Sequence, residues 1–145
     1  MNKVYDTPWA YGFFRPYVDL NTKWSFRSLK IAGKENIPTD GAVIFAPNHT
    51  NTLMDALVML QARKGPTAFG ARADTFKNPT VAKLLTFFKI LPISRVRDGR
   101  AALESNHAVF DEIVDCLAHD IPFCLFVEGK HRPMHSLQPI KKGGY

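Results

Sequence analysis

The sequence has few cysteines, no long uncharged run and no excess of acidic residues. Its two cysteines, Cys116 and Cys124, lie among apolar neighbours, which excludes a disulfide scaffold and favours a reduced, cytoplasmic setting. The longest interval without a charged side chain, residues 41–54, has fourteen residues, whereas a helix that spans a bilayer needs about 20 apolar residues. The sequence therefore predicts no transmembrane segment.

The composition is that of a globular protein with a positive net charge. Hydrophobic residues make up 46% of the 145 residues and charged residues 22%, which predicts one compact domain with its own core. Nineteen Lys and Arg residues against thirteen Asp and Glu residues give a net charge of +6. This charge favours an anionic partner such as phosphate, nucleic acid or an anionic membrane surface, and does not choose among them.

Residues 1–27 form an aromatic leader that precedes a domain comprising residues 28–145. The leader mixes large rings with basic residues, namely Trp9, Tyr11, Phe13, Phe14, Tyr17 and Trp24 with Arg15 and Lys23. Such a mixture suits the headgroup region of a bilayer. It is equally typical of a helix packed on the core, although Pro16 and Gly12 disfavour a continuous helix. Both interpretations stay open at this stage.

The rest of the chain alternates between predicted strands and helices. Apolar runs predict buried strands at residues 42–46, 67–71, 90–94 and 121–127, and residues 29–32 alternate like a further strand. Helical spacing predicts helices at residues 52–63, from Asn78-Pro79 onwards, and at residues 99–117. This order predicts an α/β fold, with a mixed, mostly parallel sheet flanked by helices.

Two loops at the ends of predicted strands contain reactive side chains. The first, residues 46–55, places the imidazole of His49 near the carboxylate of Asp55, and Thr52 with Asp55 resembles a capping box. In the second loop, residues 126–132, the carboxylate of Glu128 is followed by Gly129 and then by three residues that can be cationic, Lys130, His131 and Arg132. Because loops at strand ends collect functional groups in α/β folds, we expect an anion site here.

At these residues the sequence resembles the glycerolipid acyltransferase family, whose members acylate glycerol-3-phosphate or lysophosphatidic acid from a fatty-acyl thioester. Asn48-His49 with Asp55 resembles the family's Asn-His-x4-Asp block, Ile93-Ser94-Arg95 its apolar-x-Arg block, and residues 126–129 its Phe-x-Glu-Gly block. The order of the three blocks agrees as well, and together they are far more specific than any one alone.

The sequence departs from the family pattern in two places. Five residues separate His49 from Asp55 instead of four, a difference that a loop before the helix would absorb. Lys130-His131-Arg132 stands where the family has Thr-Arg, so that His131 matches the family's arginine and Arg132 follows it. Which of these cations meets phosphate stays open.

The resemblance implies a division of roles among the site residues. His49 would be the general base and Asp55 the carboxylate that fixes its tautomer. Glu128 would orient the hydroxyls of the acceptor, beside Gly129 in the same block. The acceptor's phosphate would be held by cations of the second and third blocks, from among Arg95, Lys130, His131 and Arg132. No metal or cofactor is implied, and the acyl thioester of coenzyme A or acyl carrier protein would be a co-substrate.

Each of these residues also has a structural interpretation. Asp55 could cap its helix, His49 and Glu128-Gly129 could belong to turns, and Arg95 could join a solvated cluster with Arg97 and Arg100. Their joint occurrence in the family's order favours the site.

The implied partners are the thioester donor, a glycerol-phosphate or lysophospholipid acceptor, and the cytoplasmic face of a membrane, where the protein would be peripheral. The alternatives are an inactive membrane-binding or anion-binding fragment and a basic nucleic-acid-binding module. We expect no nucleic acid, because the aromatic residues crowd into the leader and the apolar stripes. The family has a fourth, proline-containing block beyond residue 145, so we expect an incomplete sheet that self-associates.

Overall fold

A computed structural model describes residues 4–95 and 99–128. Its helices and strands follow one another as α1 (Trp9–Ser25), β1 (Ile44–Phe45), α2 (Thr52–Ala62), β2 (Ala68–Arg72), α3 (Pro79–Phe87), β3 (Ile90–Ile93), α4 (Arg100–Glu104), α5 (Asn106–Ala118) and β4 (Phe123–Cys124). Short 3₁₀ turns occupy Lys34–Asn36 and Ala73–Lys77.

The described strands form one parallel sheet. Their order across the sheet is β1-β4-β2-β3, and every neighbouring pair runs parallel. Phe123 of β4 lies opposite Ile44 on one side and Ala68 on the other. The α/β class and the parallel sheet predicted from the sequence are therefore confirmed. Because the strands are parallel, all their carboxyl ends lie at one edge of the sheet.

The core lies between the sheet and α5. A cluster of buried side chains joins β2, β3, α5 and β4: Ala68, Leu91, Ile113, Cys116, Ile121 and Phe123. At the centre of β2, Gly70 lets the side chain of Ile93 cross the strand, since a Cβ on Gly70 would lie 2.5 Å from the Ile93 Cδ1 atom. A larger residue at this position would push the neighbouring side chains apart.

The start of α3 follows the predicted capping pattern. The Asn78 side-chain oxygen accepts hydrogen bonds from the backbone N–H groups of Thr80 at 2.9 Å and Val81 at 3.4 Å. Pro79 occupies the first helical position, where its missing N–H costs nothing. The predicted helix start at Asn78-Pro79 is thus confirmed.

Three of the predicted elements differ from the structure. Residues 29–32 form no strand, because a strand needs a partner and none of the described strands pairs with them. Leu29 and Ile31 line a cleft against the end of α1. The strand predicted at residues 121–127 is shorter in the structure, at Phe123–Cys124, although Pro122 and Leu125 on either side also take part in backbone hydrogen bonds to the neighbouring strands. The helix predicted at residues 99–117 is interrupted at Ser105 and forms α4 and α5.

The aromatic leader forms a helix, α1, in spite of Gly12 and Pro16. Its Arg15 guanidinium donates hydrogen bonds to carbonyl oxygens at the end of α2, those of Leu60, Arg63 and Gly65. The Asp19 carboxylate accepts from Arg15 at 2.9 Å and from Gln61 at 2.7 Å. A cation that caps the last carbonyls of a helix is favourable, because that end has partial negative charge. One face of α1 is therefore fastened to α2.

A buried lysine fastens the segment before α1. Lys89 is 1% exposed, and its ammonium group donates to the carbonyl oxygens of Val4 and Asp6. Burial lowers the pKa of Lys89. In the same segment, the Tyr5 ring stacks on the His119 ring with 4.0 Å between centroids.

Through the described part of the chain, no helix is both long enough and apolar enough to cross a membrane.

Candidate active site

The carboxyl edge of the sheet brings together most of the described residues that the sequence motifs single out. His49 follows β1, Glu128 follows β4 and Arg95 follows β3. Since β1 and β4 are adjacent in the sheet, the loops that contain His49 and Glu128 are neighbours. The order of the strands thus explains why residues far apart in sequence meet.

His49 and Asp55 form a hydrogen-bonded pair. The Nδ1 atom of His49 lies 3.0 Å from the Oδ2 atom of Asp55. Asp55 lies in the first turn of α2, whereas His49 lies in the loop before it. The five-residue spacing is therefore absorbed by the loop, and the departure from the family pattern does not separate the two side chains.

The Asp55 carboxylate also organises the loop itself. Its Oδ2 atom accepts hydrogen bonds from the backbone N–H groups of Thr50 at 2.8 Å and Asn51 at 2.7 Å. Asn51 is the residue that caps α2, and its side chain makes no capping hydrogen bond. The capping box predicted at Thr52 is wrong, because Thr52 is already the first helical residue and Asp55 binds the N–H groups before it.

The His49 ring is held from a second side by the loop after β4. It stacks on the Phe126 ring, with 4.1 Å between the centroids and 22° between the planes. The backbone N–H of His49 donates to the Oε2 atom of Glu128 at 3.4 Å, and Glu128 is 3% exposed. Glu128 therefore ties together the loops after β1 and β4, a contact that the sequence did not predict.

This arrangement suits a general base. Asp55 accepts the Nδ1 proton of a neutral His49, and in that tautomer the basic lone pair lies on Nε2. The side chains of His49 and Asp55 are 14% and 20% exposed, so the pair is largely buried but still accessible from the solvent. Such a pair can take a proton from a hydroxyl group and stabilise the resulting imidazolium.

The cysteine thiols are poorly suited to nucleophilic chemistry. Cys116 and Cys124 are fully buried and form no disulfide. Burial raises the pKa of both thiols, that of Cys124 to about 12. Because the thiolate is the reactive form, neither side chain suits an acyl-enzyme intermediate.

Arg95 lies in a separate charged cluster at the same edge. Its Nη2 atom lies 3.6 Å from the Oδ2 atom of Asp74, and Asp74 also binds the guanidinium of Arg72 at the end of β2. The hydrogen bond from Arg72 lowers the pKa of Asp74 and opposes the effect of desolvation. Arg100 is instead 96% exposed and pairs with Glu104. Arg95 and Arg100 therefore contact different carboxylates, and Arg97 lies outside the described residues.

Asn106 fixes the backbone beside Arg95. Its Oδ1 atom accepts from the N–H of Ser94 at 2.9 Å, and its Nδ2 atom donates to the Ser94 carbonyl at 3.0 Å. Asn106 is 8% exposed. The sequence motifs do not single out Asn106, and they do not single out Arg72 or Asp74 either. The sequence signal that could have identified Asn106 is its position as a polar residue on the apolar stripe between Leu103 and Phe110.

The remaining predicted site residues, Gly129, Lys130, His131 and Arg132, lie outside the described residues. The choice of the cation that meets phosphate stays open for this reason. Among residues 4–95 and 99–128, no group of three or more His, Cys, Asp or Glu side chains could hold a metal ion.

Comparisons with known proteins agree with the motifs. The family model described as Acyltransferase matches residues 28–144, which covers the whole sheet and every site residue described above. Neither the curated proteins nor the solved structures provide a match.

Proposed function

The chain belongs to the acyltransferase family, and from this we propose that it moves a fatty acyl group from a thioester to a hydroxyl group of a glycerol-phosphate or lysophospholipid acceptor. The donor in this proposal is acyl coenzyme A or acyl carrier protein. The observation that best supports the proposal is the 3.0 Å contact between His49 Nδ1 and Asp55 Oδ2 at the end of β1.

In the proposed reaction, His49 acts on the acceptor hydroxyl. Its Nε2 atom takes the hydroxyl proton while the oxygen attacks the thioester carbonyl, because an alcohol is a weak nucleophile at neutral pH. The carbon–sulfur bond then breaks, and the leaving thiolate takes the proton back from the imidazolium. Asp55 stabilises the charge that the ring gains between these two steps. The ester product and the free thiol balance the reaction.

The acceptor's phosphate, we propose, meets the arginines at the ends of β2 and β3. Arg95 and Arg72 share the Asp74 carboxylate, which holds the two guanidinium groups side by side. A phosphate group can bind such a pair through bidentate hydrogen bonds. Lys130, His131 and Arg132 would add to this charge, and Glu128 with Gly129 would border the acceptor.

We also propose that α1 places the enzyme on the cytoplasmic face of an anionic membrane. The side of α1 opposite to the buried Tyr11 and Thr22 exposes a stripe of apolar residues: Trp9, Phe13, Tyr17, Leu20 and Trp24, each at least half exposed. Amphipathic rings of this kind insert at the headgroup level. The net charge of +6 adds attraction to anionic lipids.

Incubation of the purified chain with labelled acyl coenzyme A and a panel of acceptors tests the proposed reaction. The panel should contain glycerol-3-phosphate, lysophosphatidic acid and a neutral monoacylglycerol, with product lipids separated afterwards. We expect label in the phosphorylated acceptors in preference to the neutral one. Label in none of the three, with a folded chain and with either thioester donor, would reject the proposal.

A further inference from the structure

A basic cleft lies at the edge of the sheet opposite to His49. It has a volume of about 390 Å³ and lies between the end of α2 and the segment before β1. Its wall consists of Lys34, Ile37, Pro38, Thr39, Ala62, Arg63 and Lys64. Since these residues precede β1 and β2, the cleft is at the amino edge of the parallel strands. It is therefore distinct from the candidate active site.

Arg63, one of the residues that line this cleft, has an incomplete set of hydrogen bonds. Its Nη2 atom donates to the Thr39 carbonyl at 2.7 Å. Within the part of the chain that the structure describes, its Nη1 atom is buried and has no hydrogen-bond partner. A buried charged donor without a partner is rare in proteins, because leaving it unpaired is costly, and it commonly indicates a bound water or ion.

The charged residues that line this cleft are all basic. Lys34 and Lys64 also line the cleft, and among the described residues that do so there is no carboxylate. A second cleft of about 340 Å³ shares Lys34 and adds Lys23 and Arg27 from the end of α1. Arg15 already donates to the carbonyl of Leu60 in the last turn of α2 and to that of Gly65 just beyond it, so Arg63 and Lys64 are not needed to cap that helix. The concentrated positive charge favours an anion.

We propose that this cleft binds the phosphate of an anionic lipid headgroup. Arg63, Lys34 and Lys64 supply three cations along one wall, and such side chains bind phosphate oxygens through charge-assisted hydrogen bonds. Ile37 and Pro38 give the cleft an apolar wall, which a free phosphate ion would not use. The adjoining cleft leads to α1, whose exposed aromatic stripe suits a bilayer surface. This site goes beyond the proposed acyl transfer and does not depend on it.

The test is a titration of the ¹⁵N-labelled full chain with dioctanoyl phosphatidic acid below its micelle concentration. We expect saturable shifts of the backbone amide signals of Lys34, Thr39 and Lys64. Arg63→Gln and Lys64→Gln should each weaken this binding at least ~10-fold, the scale of one charge-assisted hydrogen bond. Lys64 is exposed, so Lys64→Gln tests the site even if Arg63→Gln disturbs the fold.

Two matched variants separate this cleft from other cations. Arg100→Gln removes a charge from an exposed position outside the cleft, and Arg95→Gln removes one from the candidate active site; both should leave the shifts at Lys34 and Lys64 unchanged. Inorganic phosphate should bind at least ~10-fold more weakly than the lipid, because it cannot use the apolar wall. Absence of the shifts, persistence in both cleft variants, or equal binding of inorganic phosphate would overturn the proposal.

Discussion

At the scale of single residues, Asp55 combines two tasks. Its Oδ2 atom accepts from the His49 ring and from two backbone N–H groups before α2. A structural interpretation and a catalytic one therefore do not exclude each other at this position. The hydrogen bonds from the backbone N–H groups keep the loop in place, and the hydrogen bond from His49 holds its ring in one tautomer. A substitution that keeps the shape of the side chain can separate them.

Asp55→Asn keeps an oxygen for the backbone N–H groups but removes the charge that stabilises imidazolium. We expect turnover to fall at least ~10-fold, with a small change in thermal unfolding. Asp111→Asn, which removes an exposed carboxylate from α5, is the control and should keep full turnover. Normal turnover in Asp55→Asn would assign Asp55 to the loop alone.

We expect Asn106 to act as a positioning residue, whose loss should affect both stability and acceptor binding. Asn106→Ala leaves the N–H and the carbonyl of Ser94 without their partner, at a cost of about 1–3 kcal/mol in the free energy of unfolding. Because Ser94 precedes Arg95, we also expect a higher KM for a phosphorylated acceptor, with less effect on kcat. Denaturant unfolding and steady-state kinetics measure the two effects.

The neighbouring His107→Ala is the matched control for Asn106→Ala, since His107 is exposed on the same helix. His107→Ala should change neither the free energy of unfolding nor the KM for a phosphorylated acceptor. If Asn106→Ala lowers stability but raises KM equally for a neutral acceptor, Asn106 does not act through Arg95.

Residue types and spacing predicted some members of this site and not others. His49 and Asp55 were predictable because both lie within one loop and match one motif. Arg72 and Asp74 were not, because their relation to Arg95 depends on β2 and β3 being neighbours. Strand order is a long-range property, and the local pattern contains no direct information about it.

At the scale of elements, local signals located the starts of helices better than the extent of strands. Asn78-Pro79 specifies a helix start through hydrogen bonds within a few residues. The strand predicted at residues 29–32 needs a partner strand, and the pattern alone does not provide one. The predicted helix at residues 99–117 divides at Ser105, and Asn106, the first residue of α5, hydrogen-bonds to the Ser94 backbone. Tertiary contacts therefore determine the bounds of helices and strands that the local sequence pattern does not specify.

Helix α1 has one face with the buried Tyr11 and Thr22 and an opposite face with the exposed aromatic stripe, and this stripe should determine membrane binding. Replacing Trp9, Phe13 and Trp24 together by Ser should weaken binding to anionic vesicles at least ~10-fold, because burying each large apolar side chain contributes about 1.5–3 kcal/mol. Vesicle flotation measures the change. These side chains are 88%, 73% and 82% exposed, so the fold should survive.

The matched control removes exposed apolar side chains from a helix other than α1. Phe110→Ser with Val114→Ser removes two exposed apolar side chains from α5 and should leave flotation unchanged. Equal loss of binding in both sets, or none in the α1 set, would contradict a specific role for α1.

At the scale of the whole molecule, positive charge is distributed to both edges of the sheet. Arg72 and Arg95 lie at the carboxyl edge, whereas Arg63 and Lys64 lie at the amino edge. The net charge of +6 alone would attract any polyanion, including nucleic acid. The exposed aromatic residues on α1 are the reason why we propose a membrane surface instead of the other candidates.

We therefore expect tighter binding to vesicles that contain anionic lipid than to a single-stranded oligonucleotide at the same ionic strength. Both affinities should fall as salt rises, because screening weakens the Lys and Arg contribution. Parallel titrations at two salt concentrations make the comparison. A higher affinity for the oligonucleotide would favour the nucleic-acid-binding module instead.

The most direct measurement of the central claim compares acyl transfer by the wild-type chain and by His49→Ala. Labelled acyl coenzyme A and lysophosphatidic acid are the substrates, and circular dichroism verifies that both proteins are folded. If His49 is the general base held by Asp55, the variant should turn over at least ~10²-fold more slowly. Equal turnover by a folded His49→Ala variant would contradict the mechanism.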